Sequence, residues 1–341
     1  MAQDQKEIKM DDLHSEDQQT APMFEKRVIS GFWRRILAFA LDGVFLGLVG
    51  VAVGIFFYDP LAHLGGWGRL LGFCVALAYY GVLNSSIGNG QTIGKRIVKV
   101  EVVNRHGEHI SLRLSVLRYA ILAVPFFLNG AIIPPSLIAS PLGYLLGLLV
   151  FGFGGATIYL YIFNRRTRQS LHDLACGTFV VRAFPKGDVL VSPVWKPHVV
   201  VISVWFALVI VAMIVMQNIA QKGVFPGLLA TQQAIMSTGK VHVATLSVGK
   251  TWRTSGESRT EATHVASNAV WKRRPADYEA AAREVALVIL NHYPDIMAKD
   301  ILAVTVTYGY DIGIARAWRN QTFQHSPLEW KAVAPLSAQR P

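Results

Sequence analysis

Ile36-Leu-Ala-Phe-Ala-Leu-Asp42-Gly-Val-Phe-Leu-Gly-Leu-Val-Gly-Val-Ala-Val-Gly-Ile-Phe-Phe-Tyr58 is the stretch on which the reading of this chain turns. As a helix rising 1.5 Å per residue it is long enough to cross a hydrocarbon core of ~30 Å. It carries one carboxylate, Asp42. A charged group near the middle of a membrane helix costs roughly 2.5–3.5 kcal/mol on insertion scales, so a chain that keeps one there uses it for function or for helix docking.

Outward from this stretch the same pattern repeats. The chain has 341 residues, 52% hydrophobic and 16% charged, and the apolar residues gather in long runs. That makes it a polytopic membrane protein with a soluble appendage. Spans are expected at about Ile36–Tyr58, Leu70–Ile87, Tyr119–Ile133 (interrupted by Pro125, with a start near Leu114 as the alternative), Leu142–Phe163 and Val199–Ile219. The net charge of +11 is not a nucleic-acid footprint. The basic residues crowd the ends of apolar runs, and no basic stripe with interleaved aromatics occurs. Cys74 lies in an apolar run and Cys176 in a polar segment, so no disulfide framework is implied. The polar N-terminus lacks the pattern of a cleaved signal peptide.

Lys and Arg fix an orientation. Residues 1–35, 88–118 and 164–198 carry six each, whereas 59–68 and 134–141 carry none. The positive-inside rule then puts the N-terminus in the cytoplasm and, after five spans, the C-terminus outside. The domain plan is a disordered tail (1–28), a four-helix membrane domain (29–183), a linker (184–198), a fifth membrane helix (199–219) and an exported α+β domain (220–341), periplasmic in a Gram-negative cell. In that last domain 241–248, 303–308 and 310–318 read as strands and 277–291 as an amphipathic helix, giving a helix on an antiparallel sheet.

Asp42 needs a partner. Arg35 shares its helix face but lies two turns away and should snorkel toward headgroups. Arg118 at the foot of span three, or Asn84 and Tyr80 from span two, are the candidates. Asp42 then either docks helices or holds a cation or proton. Asp173 follows the cluster Arg165, Arg166 and Arg168, and pairing with arginine should keep it ionised. Small residues on one face allow close helix approach. Gly43, Gly47, Gly50 and Gly54 form such a stripe on span one, and Gly143 and Gly147, with Gly154, another on span four. These imply that spans one and four pair, or that a homodimer seam forms.

Other motifs lead nowhere. Gly88 to Arg96 lacks phosphate-loop spacing and its Ser/Thr, and is expected to be a turn whose Lys95 and Arg96 meet lipid phosphates. His106 and His109 have no further ligands nearby, so no metal or cofactor is expected. Ser255, Ser258 and His264 lack a nucleophile elbow, and no enzyme is expected.

Three blocks carry a resemblance: 31–42 (Gly-Phe-Trp-Arg-Arg-Ile-Leu-Ala-Phe-Ala-Leu-Asp), 91–103 (Gln-Thr-Ile-Gly-Lys-Arg-Ile-Val-Lys-Val-Glu-Val-Val) and 171–181 (Leu-His-Asp-Leu-Ala-Cys-Gly-Thr-Phe-Val-Val). Together they resemble the signature blocks of the RDD family over about 29–183. The resemblance maps the family's arginine and two aspartates onto Arg35, Asp42 and Asp173. Leu174 departs from it, standing where arginine is common. The resemblance implies a membrane-embedded bacterial or archaeal protein. For such proteins a transport role, in some members sodium–proton exchange, is proposed. The expectation is therefore a transport-related inner-membrane protein, ion- or proton-coupled through Asp42, with Arg35, Arg118, Asp173 and Asn84 around it. Four short spans are few for a pathway, which implies a homo-oligomer in the lipid bilayer. The alternative is a non-transporting envelope tether acting on a periplasmic protein partner.

Overall fold

The computed structural model describes residues 28–131, 140–190, 193–221, 227–255 and 258–333. Almost all of the tail assigned to 1–28, and the Pro134-Pro135 end of the third span, lie outside these residues.

Four helical runs are long and apolar enough to cross a membrane: Phe32–Phe56, Tyr58–Leu83, Pro141–Phe163 and Lys196–Ile219. The first is α1 (Phe32–Phe56). The second comprises α2 (Tyr58–Leu64), a 3-10 turn over Gly65–Trp67 and α3 (Gly68–Leu83). The run Pro141–Phe163, here α6, widens to a π-helix over Leu148–Phe153. The last is α8 (Lys196–Gln221), whose apolar residues from Val199 to Val215 are mostly exposed, as a lipid-facing helix requires.

The expected third span is corrected. Its helix, α5 (Leu112–Leu128), has 17 residues and starts seven before Tyr119 because Ser111 accepts the N–H of Leu114 and caps it there. It runs through Pro125 and stops before Gly130, which takes a left-handed turn.

The polar segments knit one end of the bundle together. The chain turns extended only at Val100. Thr92 caps a short helix, α4 (Ile93–Ile97), by accepting the N–H of Lys95. Then β1 (Val100–Val103) pairs antiparallel with β2 (Phe179–Arg182), and Ile29 bridges Val181. Between them in sequence lies α7 (Leu171–Cys176).

The C-terminal domain begins with α9 (Leu228–Ser237), followed by β3 (Val241–Ser255), β4 (Ser258–Trp271), α10 (Tyr278–His292), β5 (Ile301–Asp311), β6 (Arg316–His325) and α11 (Pro327–Val333). Strand order is β3-β4-β5-β6. The expected antiparallel sheet is corrected to a mixed one: β4 and β5 run parallel, because α10 carries the chain back across the sheet between them. Asp277 caps α10 by accepting the N–H groups of Glu279 and Ala280. The helix lays Ala282, Ala286 and Ile289 on Val265, Leu302, Val304 and Val306 to make the core. The expected strand 310–318 is really the end of β5, a turn and the start of β6. Asp311 accepts the N–H of Gly313 to close that turn.

This turn enters the membrane bundle. Tyr310 lies on Gly54, Ala315 on Gly50 and Ile314 beside Gly47 of α1, while Ile312 lies on Gly72 of α3. Both glycine stripes thus find partners other than the ones expected. Gly47, Gly50 and Gly54 receive the β5–β6 hairpin, and a Cβ on Gly43 would meet nothing within 4 Å. On α6, Gly147 faces Met213 and Gly152 faces Phe206 of span five, and Gly154 faces Pro125 of α5, so the small residues of span four do not seat span one. Gly143, in the first turn of α6, bonds the Ser140 carbonyl.

Candidate functional site

Three charged residues from distant parts of the sequence meet at the β1–β2 end of the bundle. Asp173 is the third residue of α7 and is fully buried. Its Oδ2 accepts from Arg35 Nη2 at 2.6 Å, and its Oδ1 accepts from Arg118 at 2.5 Å and from Thr178 Oγ1 at 3.2 Å. The Ser170 N–H also donates to it. Arg35 further donates to the Arg168 carbonyl and stacks on the Tyr161 ring at 4.9 Å. The expectation that Arg35 snorkels outward is therefore corrected: with an acceptor waiting on α7, its guanidinium stays inside. Asp173 pairs with Arg35 and Arg118, not with the adjacent Arg165–Arg168 cluster.

Burial works against the Asp173 charge. Arg118, His172 and Arg35 overcome it and hold the carboxyl well below its usual range. His172, buried beside it, receives or gives a hydrogen bond at Ser170 Oγ (2.8 Å). Burial pushes the imidazole down to about 3 from 6.5, against the pull of Asp173, so it is neutral at physiological pH.

The unfolded chain takes up a proton at His172 as pH falls through 6.5, while the folded chain does not. Stability from this group is complete above that pH and declines below it; Asp173 adds a decline in the same direction below the ordinary carboxylate range. The melting temperature in detergent is expected to fall between about pH 7 and pH 5, and His172→Gln to flatten that slope. Equal slopes in the two proteins would remove His172 as the cause.

Asp42 is 1% exposed and finds partners that the sequence reading did not name. Its Oδ1 accepts from Tyr79 OH at 2.7 Å and from the Gly94 N–H at 2.8 Å, and its Oδ2 accepts from Thr92 Oγ1 at 2.6 Å. All three donors are neutral. Among the described residues no cation lies within 4.0 Å of it, so the expected Arg118 partner is corrected. Gly94 is needed for the approach: a Cβ there would collide with the Ala38 carbonyl and touch Asp42. Asn84 bonds Lys95 Nζ instead, and Tyr80 stacks on Tyr119 at 4.3 Å.

Lys95 thus points inward and not to lipid phosphates. Burial, followed by Arg118, pushes its ammonium well below the usual range, with Asp42 and Asp173 pulling the other way.

These groups share a cavity of about 350 Å³ between α1, α3, α5 and α6. Arg35, Asp42, Asn84, Lys95, Arg118 and His172 form its polar end. Among the described residues no cluster of His, Cys, Asp and Glu suits a metal ion.

The three residues of the charged centre and the Asp42 cradle all fall within residues 29–177, the stretch that matches the model of the RDD family. Residues 29–177 are an RDD-family domain. Two relatives from Bacillus subtilis (strain 168) share the region. The uncharacterized protein YxaI is 26% identical over 175 residues, covering 45% of this chain and 96% of its own. The uncharacterized protein YckC is 25% identical over 156 residues, covering 46% and 86% respectively. No solved structure matches the chain. The RDD domain and the apolar helices together make this a membrane protein.

Sequence reading missed a second polar cluster, at the other end of the RDD domain. Arg69 of α3 pairs with Asp311 of the hairpin at 2.7 Å and also bonds the carbonyls of Phe127 and Asn129. Tyr308 OH donates to Asp59 at 2.7 Å, and Arg319 stacks over Tyr58. Arg69 stood one residue beyond the loop counted for charge, which was the one available signal.

Proposed function

We propose that the RDD domain is transport-related, coupling an ion or protons through Asp42. One observation carries this: a buried carboxylate with no cation within 4.0 Å among the described residues, set on a cavity that also touches Arg35, Arg118 and Lys95. A negative charge held only by neutral donors can exchange a proton or a monovalent cation without breaking an ion pair. The permanent cations are occupied by Asp173 and set a fixed field beside it. In this proposal the protein lies in the bacterial cytoplasmic membrane, N-terminus inside and C-terminal domain outside, as a homo-oligomer without enzymatic activity.

Sodium or proton flux into vesicles tests it. Asp42→Asn is expected to abolish flux at unchanged protein yield, while truncation after Ile219 has the milder effect. No flux from the native chain would overturn transport, and loss of folded protein in Asp42→Asn would leave the carboxylate with a docking role only.

One observation favours the tether reading. The β3–β4 ribbon runs on beyond its pairing with β5, which starts at His264, and it carries an exposed Trp252. A periplasmic protein could add to it. The hairpin seated on α1 and α3 speaks for a domain that acts on the bundle rather than one hung from it.

A further inference from the structure

The cavity has two chemically different ends. Its walls are Ile36, Phe39, Leu122, Ile158 and Ile162. Of these Ile36, Phe39, Ile158 and Ile162 are exposed on the outer surface of the bundle, on α1 and α6. The opening therefore faces hydrocarbon in a membrane, and a ligand reaches it sideways from the lipid.

The closed end is basic. Arg35, Arg118 and Lys95 stand against Asp42 and Asp173, with His172 neutral, so the site with Lys95 protonated holds one positive charge in excess. Among the described residues Lys95 has a neutral partner, Asn84, and no carboxylate within 4.0 Å. Thr157 also lines the cavity, and its buried hydroxyl has no hydrogen-bond partner among the described residues.

We infer that this cavity binds an amphiphile with an anionic head and an acyl chain, the head against Lys95 and Asn84 and the chain between α1 and α6. It rests on the cavity being the working site of the transport function proposed above. The volume, near the lower end of the range for ligand sites, suits one chain and not two. A carboxylate or phosphate head removes the excess charge and gives Lys95 the counterion it lacks. It also couples binding to protonation. Arg118 and Arg35 repel the Lys95 ammonium, Asp42 and Asp173 attract it, and an incoming anion shifts that balance toward the charged form.

Photocrosslinking of the full chain in detergent tests the assignment. The probes are palmitic acid with a mid-chain diazirine, lysophosphatidylglycerol bearing the same single chain, and the matching hexadecanol as the uncharged control. Capture at residues 36–39 and 158–162 is expected for an anionic probe, with Lys95→Gln reducing it about tenfold and leaving hexadecanol unchanged. Palmitate capture names a free fatty acid as the source, and lysophosphatidylglycerol capture names a single-chain acidic lipid. Should Lys95→Gln not accumulate, competition on the native chain decides: unlabelled palmitate should displace the probe at about tenfold lower concentration than hexadecanol. Ile158→Trp, at an exposed position, should block capture by filling the cavity. Equal capture of acid and alcohol, labelling elsewhere, or crosslinks to a second copy of the chain at these positions would overturn the assignment. Vesicle flux separates the two proposals: capture without flux sinks transport alone, and cation flux without capture sinks only the amphiphile.

Discussion

Asp173→Ala is expected to remove ~3–5 kcal/mol of stability, enough to take most of the chain out of the folded membrane fraction. The substitution leaves two buried guanidiniums, Arg35 and Arg118, facing each other with no counterion. Thr178 and the Ser170 N–H lose an acceptor at the same time. Detergent-extracted yield and thermal unfolding measure it, and a loss below ~1 kcal/mol would mean the triad is hydrated or relaxes freely. A triple replacement gives the control. Arg35→Leu, Arg118→Met and Asp173→Leu together should recover most of the stability, because a buried ion triad replaced by apolar groups of similar volume is often neutral or better. Flux should stay lost in that protein, which separates what the charges do for folding from what they do for transport.

Gly72→Val is expected to expel the β5–β6 hairpin from the bundle. A Cβ on Gly72 would collide with the backbone carbonyl of Ile312, which has no flexible end to move aside. The hairpin would take with it the Arg69–Asp311 pair and the contacts of Tyr310, Ala315 and Ile314 on α1. Maleimide labelling of Ile314→Cys, in a protein with Cys74 and Cys176 replaced by serine, reports the position of the turn. Reactivity should rise at least about tenfold in Gly72→Val, corresponding to ~1.4 kcal/mol or more of lost docking. Unchanged labelling would show that the hairpin tolerates the side chain or rests there only loosely. Asp311→Ala should give a smaller rise, since Arg69 keeps its two carbonyl partners.

Much of this was legible in the sequence, and what was not has a physical cause. A charge inside an apolar run announces itself, so Asp42 stood out with no partner known, while Asp173 stood out by the arginines before it and Arg35 by the family resemblance. The partners of Asp42 did not stand out because they are neutral. A tyrosine, a threonine and a backbone N–H carry no charge pattern, and the N-cap that presents two of them lies in a segment that read as a glycine-rich turn. The glycine stripes signalled close approach correctly but could not say of what. The occupant of Gly50 and Gly54 is a β-turn from the C-terminal domain, and periodicity within a helix holds no information about it. Alternation found strands β3 and β5 in part, yet not the parallel pairing of β4 with β5, which depends on where α10 returns the chain.

The ion triad also has a temporal side. Arg35 leaves the ribosome 138 residues before the aspartate that neutralises it, and Arg118 leaves 55 residues before. Throughout that interval the nascent helices sit in the translocon or the lipid with unanswered guanidiniums, and they can close around one another only once α7 has been made. The charge of the two arginines is therefore balanced only once the last short helix of the RDD domain is in place. A chain interrupted before residue 173 would present bare arginines to whatever surveys the membrane for unfinished proteins.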